Sequence, residues 1–195
     1  FRDFLSEGWR VFAIEPDARN LEILRSDYRD DPLVTIDPRA ITQVDGERLM
    51  LHSGLDSTMS TLAPFHTSHR EFGVVQTVTM ATLCREYDIT SIDFLKIDTE
   101  GFDLFVLESM DWDAIKPRVI MSEFEDKKSK VLGYTFADMC AYMSDRGYQI
   151  LVSERFPLID YDAINPRRRR RFVRYPCELA SPDAWGDIIC VRDSR

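Results

Sequence analysis

The feature that most constrains the fold is the stretch at residues 92–109, which reads IDFLKIDTEGFDLFVLES. Its first half is a short apolar run, as expected of a strand covered on both faces. Gly101 then lets the backbone turn, and apolar residues recur at helical spacing after it. We expect a strand, an acidic turn and a buried helix, which is half of a βαβ unit. Ligands of open α/β sheets lie at the carboxyl ends of strands, so Asp98 and Glu100 should border a site.

Composition narrows the class of protein. The chain has 195 residues, 44% of them hydrophobic and 30% charged, which suits one globular domain. The net charge of −9 argues against a nucleic-acid or membrane-surface binder as a whole. Apolar runs are too short to span a bilayer. The four cysteines are far apart without CxxC spacing, which favours reduced thiols in a cytoplasmic protein over disulfides or a metal site.

The first 80 residues alternate between strands and helices. Residues 9–15 predict a strand that ends on Glu15, and Asp17 is a candidate N-cap for the helix that follows. A second strand is expected at 33–36, in a right-handed parallel unit. Further strands are predicted at 48–53 and 73–79. The loop at 54–61 between them is rich in hydroxyls and is either a solvated connection or a loop over a ligand.

The rest of the chain continues this alternation. Helices are predicted at 80–87 and 135–146, and strands at 118–123, 148–152 and 187–191. The last two strands are joined by an irregular segment that contains five arginines at 167–171. That run is either a solvated face or a site for an anionic group; nucleic acid is poorly supported because aromatic residues are not interleaved with it. His66 and His69 are interpreted as surface histidines rather than metal ligands.

Three predicted strands end on acids, namely Glu15, Asp98 and Glu123, which suggests a polar ligand edge. Glu15 could accept hydrogen bonds from both ribose hydroxyls of a nucleoside, or simply cap the next helix. Lys96, Asp98 and Glu100 form a charged cluster. Such a cluster could hold a substrate hydroxyl, act as a base, bind a divalent cation, or be a lysine–carboxylate pair that stabilises the turn.

Several motifs together resemble the FkbM family of S-adenosylmethionine-dependent methyltransferases. VFAIEP at 11–16, with Asn20 and Leu24, is similar to the second-strand motif of that family. RAI at 39–41 with DG at 45–46 is similar to its third-strand segment. The most specific match is IDFLKIDTEG at 92–101 followed by VL at 106–107. The resemblance covers residues 9–123 well and the remainder only in general architecture.

The resemblance implies an α/β fold: a seven-stranded Rossmann-like sheet with helices on both faces and an antiparallel last strand. It implies S-adenosylmethionine as methyl donor and O-methylation of a hydroxyl on a sugar, glycolipid or secondary metabolite, so that the partner is a small-molecule or glycan acceptor. The resemblance also implies roles for individual residues, and none of them is assigned as a metal ligand. Glu15 would bind the ribose, Arg39 and Ala40 would lie beside the adenine, and Lys96, Asp98 and Glu100 would face the methyl group and acceptor. Asp103 stands where the family usually has glutamate.

The front of the chain departs from the family pattern. Gly8 is the only glycine before residue 46, so no G-x-G pattern occurs there, and we expect the chain to start after the first strand and glycine-rich loop of the family. In this fold that strand is central and would lie between the strands at 9–15 and 92–98, leaving unpaired backbone groups that cost about 1–3 kcal/mol each when buried. We therefore expect residues 1–195 to be a single, N-terminally incomplete methyltransferase-like domain. The alternatives are an inactive interaction module and a nicotinamide-dependent oxidoreductase.

Overall fold

The computed structural model describes residues 1–54, 59–156 and 169–192. The helices are α1 (Arg2–Ser6), α2 (Ala18–Tyr28), α3 (Met80–Glu86), α4 (Asp103–Glu108), α5 (Asp126–Ser129) and α6 (Phe136–Ser144), with a 3-10 turn at Lys130–Leu132. The strands are β1 (Val11–Ile14), β2 (Val34–Asp37), β3 (Ala40–Ile41), β4 (Arg48–Ser53), β5 (Arg70–Val78), β6 (Phe94–Ile97), β7 (Val119–Glu125), β8 (Tyr148–Phe156), β9 (Arg169–Arg174) and β10 (Trp185–Arg192).

The strands form three sheets. The largest has the order β6-β7-β10-β8-β9, in which β6 and β7 are parallel and the other pairs are antiparallel. β1 and β2 form a parallel pair, and β3, β5 and β4 form a third sheet. The mixed α/β class is thus as predicted, and β10 has the antiparallel orientation that the resemblance implies. The single seven-stranded sheet is not observed among the described residues, because β1–β2 and β6–β7 do not pair with each other.

One face of the five-stranded sheet carries the main core. Side chains from α3, α4 and α6 pack there against alternate residues of the strands, among them Ile120, Val152 and Ile188, each fully buried. On the opposite face, Leu151 and Val191 are exposed. Hence the predicted helices on both faces are not observed at these positions of β8 and β10 in the described part of the chain.

Local sequence signals explain where several elements begin. The Asp17 side chain accepts a hydrogen bond from the Arg19 backbone nitrogen, which makes it the predicted N-cap of α2. Thr135 and Asp138 form a reciprocal capping box at the start of α6. β9 was not predicted: three residues of the arginine run, 169–171, lie in an edge strand that pairs with β8, and the other two lie outside the described residues.

A cavity of about 1300 Å³ lies between the two parallel pairs, and every residue of β1 and β6 lines it. Within the described residues β1 pairs with β2 alone and β6 with β7 alone, so the second edge of each strand has no strand partner. This is where the resemblance places the central first strand of the family's sheet. Across the described ranges, no helix is long and apolar enough to cross a membrane.

Candidate active site at the carboxyl ends of β1 and β6

The cavity brings together residues from distant parts of the sequence. All six predicted site residues line it: Glu15, Arg39, Ala40, Lys96, Asp98 and Glu100. Glu15 follows β1 and the acidic turn follows β6, so both groups stand at carboxyl ends of parallel strands. This juxtaposition was expected from the sequence, and the fold produces it because β1 and β6 face one another across the cavity.

Glu15 is held in a fixed orientation. Its carboxylate accepts hydrogen bonds from the Asp17 backbone nitrogen at 2.8 Å and from the Asn20 side chain at 3.2 Å. Burial raises the pKa of Glu15 above its ordinary value, although these two hydrogen bonds oppose the shift. A carboxylate can accept about four hydrogen bonds, so two acceptor positions remain for a ligand. Helix capping and ligand binding are therefore compatible roles for this side chain.

Arg39 and Ala40 form part of the cavity wall beyond β2. Ala40 is buried. The Arg39 guanidinium makes a two-pronged contact with Asp37 and lies 2.6 Å from a carboxylate oxygen of Glu86. Most of its donors are thus engaged inside the protein, and Arg39 shapes the wall rather than offering hydrogen bonds to a flat base.

Lys96 joins β6 to the last strand of the sheet. Its ammonium lies 3.0 Å from Asp187 on β10 and 3.4 Å from Asp98. Burial lowers the pKa of Lys96, but attraction to Asp98 and Asp187 outweighs it, and the pKa ends above its ordinary value. Sequence reasoning missed Asp187, because strand pairing across some 90 residues carries no local signal. Asp98 remains 48% exposed at the cavity, so it is the most accessible carboxylate of the cluster that it forms with Glu100 and Glu123.

Glu100 turns away from Lys96 toward a second lysine. Its carboxylate lies 2.6 Å from Nζ of Lys128, which is buried on α5 and also contacts Glu123 at 2.9 Å and Glu125 at 3.1 Å. Burial raises the pKa of Glu100, and Lys128 lowers it in part. Carboxylate oxygens of Asp98, Glu100 and Glu123 all lie within 4.8 Å of one another. The predicted cluster is therefore larger than expected and has Lys128 as its second cation.

The backbone of the acidic turn is held by several buried groups. Glu100 has a positive φ of 54°, and Gly101 follows with φ of 107°. Tyr134 donates its hydroxyl to the Gly101 carbonyl at 2.7 Å. The buried Asp103 accepts a hydrogen bond from the Thr99 hydroxyl, and burial raises the pKa of Asp103 to about 6. Strained backbone that is held from several sides is common at functional sites.

The hydroxyl-rich loop after β4 crosses between the two ends of the cavity. Ser60 donates its hydroxyl to Asp17, next to Glu15, at 2.6 Å. Thr61, which is buried, donates its hydroxyl to the main-chain carbonyl of Glu100 at 3.0 Å. Both residues line the cavity. This agrees with the interpretation of a loop over a ligand; residues 55–58 of the loop lie outside the described residues.

One prediction about the histidines is wrong. His69 is buried rather than on the surface, with its ring against Phe65 at 4.6 Å between centroids. Neither of its ring nitrogens has a hydrogen-bond partner within the described residues. Burial, followed by nearby positive charge, lowers the pKa of His69 below its ordinary value. The sequence misled here because a loop with proline and serine suggests exposure, whereas this loop packs onto the protein.

The fold is of the α/β class, and its cavity lies at the carboxyl ends of parallel strands, where open α/β sheets bind their ligands. The chain belongs to the FkbM methyltransferase family: the model of the methyltransferase FkbM domain matches residues 1–150. The resemblance drawn from the sequence motifs is thereby confirmed. Searches of curated proteins and of solved structures found no significant match.

Proposed function

We propose that this methyltransferase-family protein uses S-adenosylmethionine to methylate a hydroxyl on a sugar, glycolipid or secondary metabolite. The observation that carries the proposal is the single cavity that joins Glu15 at one end to Asp98 at the other. A cofactor with a nucleoside at one end and a reactive sulfonium at the other needs such an elongated site. S-adenosylmethionine supplies an electrophilic methyl group when it is bound.

The residues at the nucleoside end suit the cofactor. Glu15 has acceptor capacity left for two ribose hydroxyls, and its orientation is set by Asp17 and Asn20. Ala40 leaves room for a flat base, and Arg39 stabilises the wall beside it through Asp37. The roles of these residues follow from the family motif and from their positions along the cavity.

At the other end we assign proton transfer to Asp98. It is the most exposed of the clustered carboxylates, and Lys96 orients it from the strand. A carboxylate within hydrogen-bond reach of an acceptor hydroxyl can remove its proton as the oxygen attacks the methyl group. Glu100 is directed toward Lys128 instead, so we assign it to holding the turn rather than to contact with the acceptor. Most of the remaining catalysis would come from positioning the two reactants in line.

We further propose that an additional strand with a glycine-rich loop completes the site between β1 and β6. The support is the cavity itself, since each of the two strands has one edge without a strand partner in the described residues. A parallel strand from the same polypeptide, or from a partner, would pair with both edges. A protein extended through such a strand should then bind the cofactor more tightly than residues 1–195 alone.

The proposed function is tested by isothermal titration calorimetry with S-adenosylmethionine, using both the 195-residue chain and an N-terminally extended protein. Glu15→Ala should weaken binding about tenfold, because two charge-assisted hydrogen bonds to the ribose are lost. Glu22→Ala, on the exposed face of α2, serves as the matched control and should bind as the unmodified protein does. Equal affinity of the Glu15 and Glu22 variants would remove the ribose assignment. Tighter binding of a nicotinamide dinucleotide would favour the oxidoreductase alternative.

A further inference from the structure

Lys128 is an unusual residue for its position. Its side chain is only 6% exposed, yet it carries a charge on a four-residue helix beside the acidic turn. Lysine is almost never buried unless it is paired. Here the ammonium is surrounded by three glutamates at 2.6, 2.9 and 3.1 Å, from the turn after β6 and from the end of β7. Such an arrangement indicates that the charge of Lys128 affects the orientation and the ionisation of the neighbouring glutamates.

Lys128 is also the residue that packs against the signature glycine. A Cβ atom added to Gly101 would stand 3.3 Å from Cβ of Lys128. The glycine therefore allows α5 to approach the turn closely enough for the ammonium to reach the Glu100 carboxylate. The positive φ of Glu100 is the conformation that presents its side chain to Lys128 and its carbonyl to Thr61.

The charges around Lys128 do not balance. Three glutamates contact one ammonium, and Asp98 lies within 4.8 Å of two of them. Asp98 and Glu100 line the cavity, whereas Glu123 and Lys128 stand behind them. One buried lysine therefore offsets part of the negative charge that these carboxylates place behind the cavity rim.

We propose that Lys128 is a positioning residue of the methyl-transfer site, which holds Glu100 in place and sets the negative charge that the cavity rim presents to the cofactor. This inference rests on the proposed function. The methyl donor carries a sulfonium charge that its demethylated product, S-adenosylhomocysteine, lacks. A rim with excess negative charge favours the donor over the product, and Lys128 limits that preference.

The ionisation of Glu123 makes the effect depend on pH. Burial raises the pKa of Glu123 to about 8; Lys128 on α5 opposes the rise, and Asp98 and Glu100 in the turn after β6 add to it. The Tyr134 hydroxyl is also close enough to interact with Glu123. Glu123 should therefore be mainly protonated at pH 6.5 and mainly charged at pH 9. Without Lys128, the pKa of Glu100 and of Glu123 would both rise further.

The test compares the affinities for S-adenosylmethionine and S-adenosylhomocysteine by calorimetry at pH 6.5 and pH 9. At pH 9, Lys128→Met made in the Glu123→Gln background, where residue 123 cannot take up a compensating proton, should raise the preference for the charged donor at least about threefold relative to Glu123→Gln alone, because one positive charge is removed. Glu123→Gln should lower the preference by a similar factor, since it removes one negative charge. At pH 6.5 Glu123→Gln should match the unmodified protein, because Glu123 is then mainly neutral already. Variants are compared at one pH, so ionisation of the ligands cancels.

Two further variants separate charge from structure. Lys128→Arg keeps the charge and should restore the preference of the unmodified protein. Lys130→Met removes a lysine that is 58% exposed and pairs with Asp126, and it should have no effect. A purely structural role for Lys128 would weaken both ligands in proportion and leave their ratio unchanged. That result at pH 9, for Glu123→Gln and for Lys128→Met in the Glu123→Gln background, would overturn the inference.

A ligand-independent measurement keeps the inference separate from the proposed function. Titration of the Glu123 side-chain carboxyl ¹³C resonance should give an apparent pKa near 8 in the unmodified protein. The value should be higher in Lys128→Met and unchanged in Lys130→Met. If neither the 195-residue chain nor the N-terminally extended protein binds either ligand, the proposed function fails. If it binds both and neither the ratio nor the titration responds to Lys128→Met, only the role of Lys128 fails.

Discussion

Gly101 and Lys128 are in close contact: a Cβ atom at residue 101 would lie 3.3 Å from Cβ of Lys128. The glycine also has φ of 107°, a conformation that side chains disfavour. The most recognisable glycine of the sequence motif is thus explained by two independent requirements, a backbone conformation and a neighbour. The neighbour was not visible in the motif, because it lies 27 residues later in the sequence.

Gly101→Ala should therefore destabilise the protein by about 2–4 kcal/mol, through backbone strain and overpacking against Lys128. The measurement is the free energy of unfolding from urea denaturation. Gly133→Ala is the matched control, since Gly133 also has positive φ but has open space around it. We expect Gly133→Ala to lower the free energy of unfolding by about 1 kcal/mol. Equal losses in the two variants would show that the contact with Lys128 contributes nothing.

Asp98→Asn should lower turnover about 10²- to 10⁴-fold and change cofactor affinity little, because an amide cannot take up the hydroxyl proton of the substrate that is methylated. Turnover is measured as formation of S-adenosylhomocysteine with a hydroxylated acceptor found by screening, and affinity by calorimetry. Asp30→Asn, an exposed position after α2, should behave as the unmodified protein. Unchanged turnover in Asp98→Asn would exclude the proposed base.

Thr61→Val should lower the free energy of unfolding by about 1–3 kcal/mol, because the Glu100 carbonyl loses its hydroxyl donor at 3.0 Å in a buried site. It should also weaken cofactor binding, since the loop no longer ties the acidic turn to the nucleoside end. Thermal unfolding and calorimetry measure the two effects. Thr61→Ser keeps the hydroxyl and should recover most of the stability and most of the cofactor affinity. Thr67→Val, at an exposed position shortly before β5, should change neither. Failure of the serine variant to recover stability would show that the methyl group, not the hydroxyl, is important.

The stability of the protein should fall as the pH rises from about 6 to about 8. Burial raises the pKa of Glu123 to about 8 in the folded state, so the folded protein keeps a proton that the unfolded chain has released. The loss is at most about 1.4 kcal/mol per pH unit for one proton. Urea denaturation of Glu123→Gln should show a shallower slope in this range, and Glu22→Gln should keep the original slope. Asp103, with its pKa of about 6, acts at lower pH and should not obscure the difference. Identical slopes in both variants would contradict the assignment to Glu123.

Local sequence signals were sufficient for most of the elements near the site. The apolar run before Asp98 was predicted as a strand and β6 is found there, and the N-cap of α2 at Asp17 was predicted from residue type alone. Three acids at predicted strand ends were expected to share an edge. Glu15 and Asp98 do line one cavity, whereas Glu123 lies within β7 and outside the cavity lining. These predictions succeed because side-chain periodicity, caps and strand ends depend on residues within a few positions of one another.

The partners of those residues could not be predicted in the same way. Asp187 reaches Lys96 because β10 pairs antiparallel with β7, and the arginines of β9 lie in a strand because β8 offers its edge. His69 is buried by the packing of its loop. Each of these outcomes depends on contacts between residues far apart in the chain, for which a single sequence carries no distance information.

The acidic turn after β6 shows most clearly which properties depend on the local sequence and which depend on the tertiary structure. The sequence by itself determined the family, the α/β class and the three charged residues Lys96, Asp98 and Glu100 at one strand end, because these are properties of a continuous motif. Only the tertiary structure decided how they divide: Lys96 turns to Asp187, Glu100 turns to Lys128, and Asp98 remains accessible at the cavity. The physical reason is that the ionisation and direction of a charged group depend on the charges and the burial around it, and folding brings these from other parts of the chain.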